Sequence, residues 1–557
     1  MTAPKKLTQV LVEKRLITEA QLAQLSAEPQ SEQQFLGTLL VERGWVEADT
    51  LFAVLAEYYQ MPFVKLRDAH VDRKAIEQVP MKVALHYTVM PLAVSNGTLK
   101  VAVANPQNVR LLDDLRLALH QRYTIEPLLA TEADILEALK RHYGVGAETV
   151  NQIIADQLQS AHPGAAPVDD TIEDIQQLAD DASVVKLVNQ LIVEAHSRRA
   201  TDIHLEPYRG KVRLRYRIDG MLHSVDVPPE LRQLFPAIVS RVKVLSNLNI
   251  VERRMPQDGR ASVKVGKDKL DLRIATLPTP AGESIVIRIL PSQMLLQLKD
   301  LGFRGDDLTL LERTIRKPHG MILITGPTGS GKTTTLYACL NTIKAEERKI
   351  ITIEDPIEYE LEGVTQVQVN AQTGLTFAQG LRSMLRHDPD IMMVGEVRDI
   401  ETAELATRIA LTGHLVFSTV HTNDAASALV RFMDMGIDPF LIASSIECVI
   451  AQRLVRVLCP HCKEEVASPW AQTKTAFQSK GCDKCHKSGF LGRTAIYEFF
   501  LMAQPIRELL MKKASADAIR QQAVELGMQT MREDGWGKVS AGVTTLDEIL
   551  RITQDET

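Results

Sequence analysis

The sequence has little of what marks secreted, membrane-spanning or nucleic-acid-binding proteins. Six cysteines in 557 residues are too few for a disulfide scaffold. The longest apolar runs, such as Met321–Thr325, fall well below the roughly 18 residues that a membrane span needs. The first residues contain no continuous apolar core like that of a secretory signal, and a net charge of −6 gives no general attraction to nucleic acid. These absences favour a cytoplasmic protein that meets a membrane only peripherally.

Composition and changes of pattern divide the chain into several domains. Hydrophobic residues make up 45% of the chain and charged residues 24%, as in ordinary soluble proteins. The length suggests about three to four domains. The predicted segments are a helical repeat module at 1–60, a small α/β unit at 61–145, a flexible linker at 146–181, a strand-rich domain at 182–295, an α/β domain with a mostly parallel sheet at 296–456, a cysteine-bearing segment at 457–497 and a helical C-terminal domain at 498–557.

The first 60 residues contain an internal repeat. The stretches that start at Leu7 and Leu36 align at a constant offset. The matching pairs are Leu11 with Leu40, Val12 with Val41, Glu13 with Glu42, and Leu22 with Leu51. Each unit carries apolar residues at helical spacing on both sides of a short break. Two helical hairpins that bury these residues against each other would form a structural or docking module.

Two later segments differ in charge. His162–Asp181 is rich in acidic residues and in proline and glycine, which predicts a flexible linker. In the strand-rich domain five cations alternate with apolar residues; they are Arg209, Lys211, Arg213, Arg215 and Arg217. Because side chains alternate along a strand, these cations share one face. That face is either solvated or in contact with a partner or a phosphate.

The strongest motif is a glycine-rich loop between an apolar strand and a predicted helix. The strand Met321–Thr325 leads directly into it. Its residues are Gly326, Pro327, Thr328, Gly329, Ser330, Gly331, Lys332, Thr333 and Thr334. Such a loop closes backbone N–H groups around phosphates at the start of a helix. We expect Lys332 to reach the β- and γ-phosphates of ATP and the Thr333 hydroxyl to bind Mg²⁺.

Acidic residues follow two other strands of the same domain. The apolar strand Ile391–Val394 is followed by Glu396, which can orient a water for attack on the γ-phosphate or support the Mg²⁺ shell. A glutamate there favours hydrolysis over transfer to a substrate; a surface acid at a strand end is the alternative. Another strand, which Pro356 should end, carries the carboxylates Glu354, Asp355 and Glu358.

Two histidines, His414 and His421, flank a fourth apolar strand. A lone histidine is more often structural than functional. Because both lie at the ends of one strand of a nucleotide-binding domain, they are candidates for sensing the γ-phosphate.

Two Cys-x-x-Cys pairs, with Cys459 and Cys462 in the first and Cys482 and Cys485 in the second, are separated by 19 residues. This spacing is typical of a four-thiolate zinc site, and a closed site of this kind is structural because no position is open for water. A redox dithiol and a chance pairing are the alternatives. The two other cysteines, Cys339 and Cys448, lie in apolar patterns that predict burial.

Taken together, these segments resemble the secretion ATPases of type II secretion systems and of type IV pilus assembly. Four segments match the family's motifs in order: the Walker A loop at 326–333, the Asp box around 350–360, the Walker B segment at 388–399 and the His box at 412–424. Upstream, 200–208, 215–220 and 252–260 resemble the family's second N-terminal domain. The resemblance covers about residues 185 to 557. It implies a RecA-like ATPase domain preceded by a PAS-like α/β domain, with the cysteine segment as a zinc-binding insertion.

The resemblance also implies a homo-hexamer that works as a mechanical motor. Each nucleotide site would lie between the ATPase domain and the strand-rich domain, and arginines of the latter would complete it. By motif position these are Arg260 and Arg273, with Arg254 as a weaker choice, and Glu354 and Glu358 join Glu396 as catalytic candidates. The implied partners are inner-membrane platform and cytoplasmic-domain proteins of a secretion or pilus machine.

The N-terminal repeat resembles a module that binds cyclic di-GMP in some of these ATPases. The second unit keeps several of that module's leucines and glycines but has Phe35 for an arginine and Tyr58 for a glutamine. The first unit has Lys6, Thr8 and Arg15 in place of an arginine and two glycines. These changes remove expected guanine contacts and close backbone approach, so cyclic di-GMP binding is the weaker alternative here.

We therefore expect a cytoplasmic ATPase that drives pseudopilus assembly in type II secretion. Assembly of a type IV or MSHA-like pilus is the near alternative, and the tetracysteine segment favours filament extension over retraction. A nucleic-acid motor with a zinc ribbon is more distant, because aromatic-basic clusters are lacking. Glu396 and the chain size disfavour a small-molecule kinase.

Overall fold

The computed structural model of the protein describes residues 7–19, 21, 40–41, 43–146, 149–150, 153, 182–291, 296–467 and 475–553. Most of the predicted linker lies outside the described residues. So do six repeat positions, namely Lys6, Leu22, Phe35, Leu36, Gly37 and Glu42.

The helices in chain order are α1 (Leu7–Glu13), α2 (Ala48–Tyr59), α3 (Arg73–Gln78), α4 (Met81–His86), α5 (Val109–Ala118), α6 (Glu132–Tyr143), α7 (Ala182–Ser197), α8 (Leu231–Leu245), α9 (Gly305–Thr314), α10 (Lys332–Ile343), α11 (Phe377–Met384), α12 (Ile400–Leu411), α13 (Ala425–Asp434), α14 (Pro439–Ser445), α15 (Gln504–Met511), α16 (Ala516–Glu525), α17 (Met531–Ser540) and α18 (Leu546–Ile552).

The strands in chain order are β1 (Met90–Ser95), β2 (Thr98–Val103), β3 (Thr124–Leu129), β4 (Ala200–Tyr208), β5 (Lys211–Ile218), β6 (Met221–Val225), β7 (Gln257–Val265), β8 (Asp268–Thr279), β9 (Gly282–Pro291), β10 (Gly320–Thr325), β11 (Ile350–Glu354), β12 (Thr365–Gln368), β13 (Ile391–Val394), β14 (Leu415–Val420), β15 (Ile446–Leu458), β16 (Lys463–Ala467), β17 (Thr475–Ser479) and β18 (Phe490–Leu501).

The chain divides into two compact units. The first comprises residues 1–265 and 271–289, and the second comprises residues 266–270 and 290–557. No helix in the described ranges combines the length and the apolar character that crossing a membrane would take.

In the first unit, the N-terminal repeat is visible as one backbone turn formed twice. Leu11 and Leu40 are both fully buried. Arg15 and Gly44, which are equivalent in the alignment, both have left-handed backbones, with φ of 58° and 68°. The turn is closed the same way in both units, because Leu16 N donates to Leu11 O and Trp45 N donates to Leu40 O. Arginine occupies the position of a glycine in the first copy, at a steric cost of about 1 kcal/mol.

The small α/β unit that follows has a three-stranded sheet in the order β1-β2-β3. The pair β1/β2 is antiparallel and the pair β2/β3 is parallel. Helices α3 to α6 pack against this sheet, and the shared core includes Leu99 and Val101 from β2, Leu115 from α5 and Ile135 from α6. These buried side chains come from elements whose apolar residues recur at strand or helix spacing.

The strand-rich domain is a six-stranded sheet in the order β6-β5-β4-β9-β8-β7. On β5, Leu214 and Tyr216 are buried and the basic residues between them face outward, as the alternation predicts. One of the five cations was placed wrongly, because Arg209 lies in the turn between β4 and β5 with φ of 43°. Some of the remaining cations are paired, since Arg215 binds Glu206 with Nη2–Oε2 of 2.7 Å.

The second unit is built on a seven-stranded sheet in the order β12-β11-β13-β14-β10-β15-β18. Neighbouring strands from β12 to β15 run parallel, and only β18 is antiparallel to its neighbour. The predicted mostly parallel sheet is therefore confirmed. The strands β10, β11, β13 and β14 are completely buried, as expected when helices cover both faces. Their carboxyl ends meet at one edge of the sheet.

The cysteine segment begins and ends within this sheet. Strands β15 and β18 pair from Cys448–Leu501 to Leu458–Phe490, and the cysteine pairs lie beyond one end of this ladder. The predicted boundary at 497 therefore cuts through β18, because an apolar strand between the cysteines and the C-terminal helices was assigned to the zinc segment. Between β15 and β18 the described residues, which leave out 468–474, include β16 and β17, and these two strands form a separate antiparallel pair.

Candidate nucleotide and metal sites

The glycine-rich loop joins the end of β10 to the start of α10. Two of its glycines are required by close approach. A Cβ on Gly326 would lie 2.4 Å from the Gln452 carbonyl oxygen, and one on Gly331, where φ is +88°, would lie 2.8 Å from Gln452 Nε2. The ammonium of Lys332 donates to the carbonyls of Gly326 and Pro327, at 2.8 and 3.1 Å. Thr333 and Thr334 lie in the first turn of α10, beside N–H groups without helical partners.

Burial lowers the pKa of Lys332, and the charge of Glu396 partly opposes that shift. The two side chains therefore share one electrostatic environment. Their strands explain this proximity, because β14 pairs with both β10 and β13, and all three are parallel.

Glu396 is the centre of a polar cluster at the carboxyl edge of the sheet. Its side chain is largely buried, and its carboxylate contacts Arg398 Nη2 at 2.5 Å and His421 Nε2 at 3.2 Å. The hydrogen bond and charge of Glu396 raise the pKa of Arg398. Arg398 and His421 are both exposed on their outer sides. The cluster thus holds a carboxylate in place while leaving two donors free to face a charged ligand.

Glu354 lies at the end of the neighbouring strand β11 but in a closed environment. It is buried and accepts hydrogen bonds from Tyr337 Oη, from Thr352 Oγ1 at 2.7 Å and from Gln366 Nε2 at 3.1 Å. Burial, followed by the charge of Glu354, raises the pKa of Tyr337. Three donors therefore occupy this carboxylate, which ties the middle of α10 to the end of β11 through Tyr337.

The two histidines lie at opposite ends of β14. His421 follows the last residue of the strand and reaches Glu396, whereas His414 precedes the first residue and its Nδ1 lies 3.3 Å from Ile409 O. Six residues of strand span about 20 Å, so both ends cannot reach one phosphate. Parallel strands send only their carboxyl ends to the edge with the glycine-rich loop, so His414 lies at the opposite edge of the sheet, and its role at the nucleotide stays a prediction.

The other predicted residues are distributed as follows. Glu358 is half-buried in the loop beyond Pro356, which ends β11 as predicted. In the first unit, Arg260 is exposed on β7, Arg273 lies on β8, and Arg254 pairs with Glu252 at 3.1 Å in a loop. The roles of these arginines in the nucleotide site stay predictions.

Gln452 is a residue that the sequence reasoning missed. It lies on β15, is 2% exposed, and its Nε2 donates to Ser330 O at 2.7 Å while its Oε1 accepts from Thr335 Oγ1 at 2.8 Å. One amide thus ties the glycine-rich loop to the first turn of α10. A lone amide inside the apolar run of β15 was the available signal, since a buried polar group needs partners.

The four cysteines converge at the end of β15. The Sγ atoms of Cys459 and Cys482, of Cys462 and Cys485, and of Cys482 and Cys485 are each 3.8 Å apart, and all four lie within 4.8 Å of one another. Four sulfurs at about 2.3 Å from a tetrahedral zinc would be about 3.8 Å apart. The donor set and its spacing therefore fit zinc.

Hydrogen bonds to the cysteine sulfurs also favour the thiolate form. Burial raises the pKa of the Cys485 thiol, but hydrogen bonds from the backbone N–H groups of Cys482 and Gly489, together with those of the Cys462 and Cys482 side chains, bring the pKa down to about 7. A thiolate is the form that binds metal. The remaining cysteines, Cys339 and Cys448, are fully buried as predicted, and burial raises the pKa of Cys339 to about 12.

Comparison with known proteins gives matches along the whole chain. The profile of the family described as "Type II/IV secretion system protein" matches residues 177–551, and that of the MshEN domain matches residues 59–149. The type IV pilus assembly ATPase PilB of Myxococcus xanthus is 40% identical over 98% of this chain and 99% of its own length. The type II secretion system protein E of Xanthomonas campestris is 38% identical over 100% of this chain and 99% of its own.

A shorter match is closer in sequence. The type II secretion system protein E of Pseudomonas aeruginosa is 48% identical over 395 residues, which are 69% of this chain and 78% of that protein. Among solved structures, the ATPase DotB of Legionella pneumophila has a TM-score of 0.50 at 21% identity, over 70% of this chain and 98% of that chain. This likeness confirms the RecA-like fold class. The chain therefore belongs to the type II/IV secretion system protein family, the family of secretion and pilus-assembly ATPases.

Proposed function

We propose that this chain is the hexameric ATPase motor that drives pseudopilus assembly in type II protein secretion. The observation that carries the proposal is the polar cluster in which Glu396, held by Arg398 and His421, shares an environment with Lys332. A buried carboxylate with fixed donors, near a phosphate-binding lysine, suits activation of water for attack on a phosphoryl group.

Each side chain has a defined task in hydrolysis. Lys332 leaves the loop carbonyls and binds the terminal phosphates, and the Thr333 hydroxyl would hold Mg²⁺, which would offset phosphate charge. Glu396 orients the attacking water and accepts its proton, while His421 and Arg398 keep the carboxylate aimed. Arg260 and Arg273 add positive charge to the transition state in the assembled hexamer.

Two neighbouring functions fit this chemistry. Type II secretion is supported by the 48% identity to a type II secretion system protein E over 395 residues, which are 69% of this chain. Assembly of a type IV or MSHA-like pilus is the alternative, and the match to a PilB protein over nearly the full length of both chains favours it. In both, the motor acts at the cytoplasmic side of the inner membrane through platform and cytoplasmic-domain partners.

Deletion of the gene in its host separates these functions. We expect loss of protein secretion with surface pili unchanged, and restoration by the wild-type gene but not by one encoding Glu396→Gln. Loss of pili with normal secretion would move the proposal to the alternative. Normal amounts of both would refute it.

We also propose that the four cysteines hold one structural zinc ion. The 3.8 Å sulfur separations support a closed site, and within the described residues no histidine or carboxylate joins the four sulfurs in this group. Metal analysis of freshly purified protein is expected to give one zinc per chain, and Cys459→Ser with Cys485→Ser to abolish it. Far less than one equivalent in the wild type would contradict the proposal.

The N-terminal repeat is proposed to dock onto a protein partner rather than to bind cyclic di-GMP. Arg15 stands where the related module has a glycine, so the left-handed backbone of this turn, with φ of 58°, carries a side chain where a glycine would leave the backbone open. Titration calorimetry of the full chain with cyclic di-GMP is expected to give no isotherm. Micromolar or tighter binding would overturn this proposal and leave the ATPase assignment intact.

A further inference from the structure

The strand-rich domain contains a cavity that the proposed ATPase cycle does not use. It has a volume of about 600 Å³ and lies between the turn that joins β4 to β5, one side of α8 and the turn that joins β8 to β9. The β4–β5 turn lies against α8, since a Cβ on Gly210 would be 2.7 Å from Arg232 Nη1. It also lies near the β8–β9 turn, where the corresponding distance from Gly282 to Pro207 Cγ is 3.6 Å.

At the floor of the cavity the carboxylate of Glu283 is paired with a buried lysine, so its charge is already neutralised. Glu283 is the only carboxylate among the described residues that line it. Its Oε1 lies 2.5 Å from Nζ of Lys243, which is completely buried. Lys243 also donates to Glu252 O at 2.7 Å, which fixes the backbone beside Arg253. The acidic group of the cavity therefore does not cancel the charge of its rim.

The rim carries a net positive charge. It includes Arg209, Lys211, Arg232 and Arg253. None of these four side chains forms an ion pair with a carboxylate in the described part of the chain. Arg209 lies over the ring of Tyr208, with Cζ 5.2 Å from the ring centre. Four like charges around one concave surface repel each other and concentrate positive potential there.

Arg253 provides the second, independent observation. Its Nη2 atom is buried and has no hydrogen-bond partner. Buried polar atoms are nearly always satisfied, so an unpaired guanidinium nitrogen needs an acceptor that the chain itself does not provide.

We propose that this cavity is a phosphate-binding site distinct from the glycine-rich loop. Arginine forks bind phosphate through paired N–H groups better than they bind other anions, and four cations match a group with two or more negative charges. The apolar wall formed by Val212, Phe235 and Val239 accommodates the carbon part of a phosphate ester. The same chemistry serves a soluble phosphate ester and the headgroup of an anionic phospholipid. The inference does not depend on the proposed ATPase function.

Binding of inorganic pyrophosphate to the full chain tests the soluble source. A Lys332→Ala background removes the contribution of the glycine-rich loop. Titration calorimetry at about 0.1 M salt, where charges act over about 10 Å, should then still detect one site per chain. The combined changes Arg209→Gln, Lys211→Gln and Arg232→Gln should weaken it at least tenfold, because each removes a charge-assisted contact. Arg253→Gln alone should weaken it by a similar factor.

A matched control carries the same charge change elsewhere. Lys74→Gln, Arg110→Gln and Arg122→Gln alter three exposed cations of the small α/β unit that have no ion pair in the described ranges. This triple variant should bind pyrophosphate like its parent. Both triple variants should show the parent's thermal unfolding, since every residue that they change is exposed.

Co-sedimentation with vesicles tests the lipid source. Phosphatidylglycerol vesicles are compared with phosphatidylcholine vesicles, using the same variants. If the cavity variants lose pyrophosphate binding and the control variant keeps it, the result supports the site with a soluble ligand. If the cavity variants lose binding to phosphatidylglycerol vesicles and the control variant keeps it, the result supports the site with a lipid headgroup. Absence of both, or equal losses in cavity and control variants, overturns the proposal.

Discussion

Two glutamates end neighbouring parallel strands, yet they are built for different tasks. Glu354 is the last residue of β11, and Glu396 lies two residues beyond β13, with which β11 pairs directly. Glu354 is enclosed by Tyr337, Thr352 and Gln366, whereas the contacts of Glu396 are the exposed side chains of Arg398 and His421. A position at the carboxyl edge of a sheet therefore does not by itself leave a carboxylate open to a ligand.

The difference follows from where each strand stops. Side chains alternate along β11, so Glu354 faces the same side as Thr352 and packs under α10. After β13 the chain passes Gly395, whose N–H donates to Ile353 O at 2.8 Å, and then turns. The side chain of the next residue, Glu396, therefore lies at the edge of the sheet and does not pack on one of its faces. One carboxylate organises the helix that bears the loop, and the other is available for chemistry.

The largest effect is expected from Glu396→Gln. The amide keeps the shape but cannot accept a proton, so kcat for ATP hydrolysis should fall at least 100-fold. ATP affinity, measured by equilibrium binding, should change little. Glu362→Gln, at an exposed site of the same unit, is the control and should hydrolyse ATP normally. Turnover of Glu396→Gln within tenfold of wild type would assign the base elsewhere.

Glu354→Ala should act mainly on stability. Three buried donors would lose their acceptor, which should lower the free energy of unfolding of the second unit by about 3 kcal/mol. Denaturant unfolding, followed by a probe in that unit, measures the change. Glu360→Ala is exposed and should be neutral. A loss below about 1 kcal/mol would mean that water replaces the carboxylate.

We expect a smaller effect on turnover from changes to the two histidines at the ends of β14. His421→Ala removes one hydrogen bond to Glu396, so kcat should fall about tenfold, with unfolding unchanged because His421 is half exposed. His414→Ala, at the other end of the same strand, is the internal control and should keep turnover within about twofold. Equal losses in the two variants would contradict the assignment of His414 to the distant edge.

The smallest effect is expected from Tyr337→Phe. Loss of one donor to Glu354 should cost about 1 kcal/mol of unfolding free energy and leave turnover nearly unchanged. Combined with Glu354→Ala it should add little, because both changes remove the same interaction. Additive losses would show that the phenol stabilises the protein independently of the carboxylate.

What could be predicted from the sequence was local. The apolar run Ile391–Val394 is β13 residue for residue, and Pro356 follows the end of β11, because strand bounds depend on nearby side chains. The repeat was also predicted, since its turn is closed by bonds within five residues. Gln452 was missed because its partner Ser330 lies 122 residues away.

The sequence was a poor guide where strand direction or pairing between distant segments decides the position of a residue. His414 and His421 look equivalent in the sequence, and only the parallel arrangement of β14 with its neighbours separates them. The end of the zinc segment was misplaced because β18 pairs with a strand that precedes the cysteines. Arg209 followed the alternation of β5 but belongs to the turn before it.

Strand β15 restricts which changes of length the protein can tolerate. Gln452 and Cys459 lie seven residues apart on one continuous stretch of chain, one at the glycine-rich loop and the other in the cysteine cluster. Inserting a single residue between them would turn one of the two side chains to the opposite face, since faces alternate along a strand. Gene insertions and deletions should therefore be excluded from this stretch, whatever substitutions it accepts.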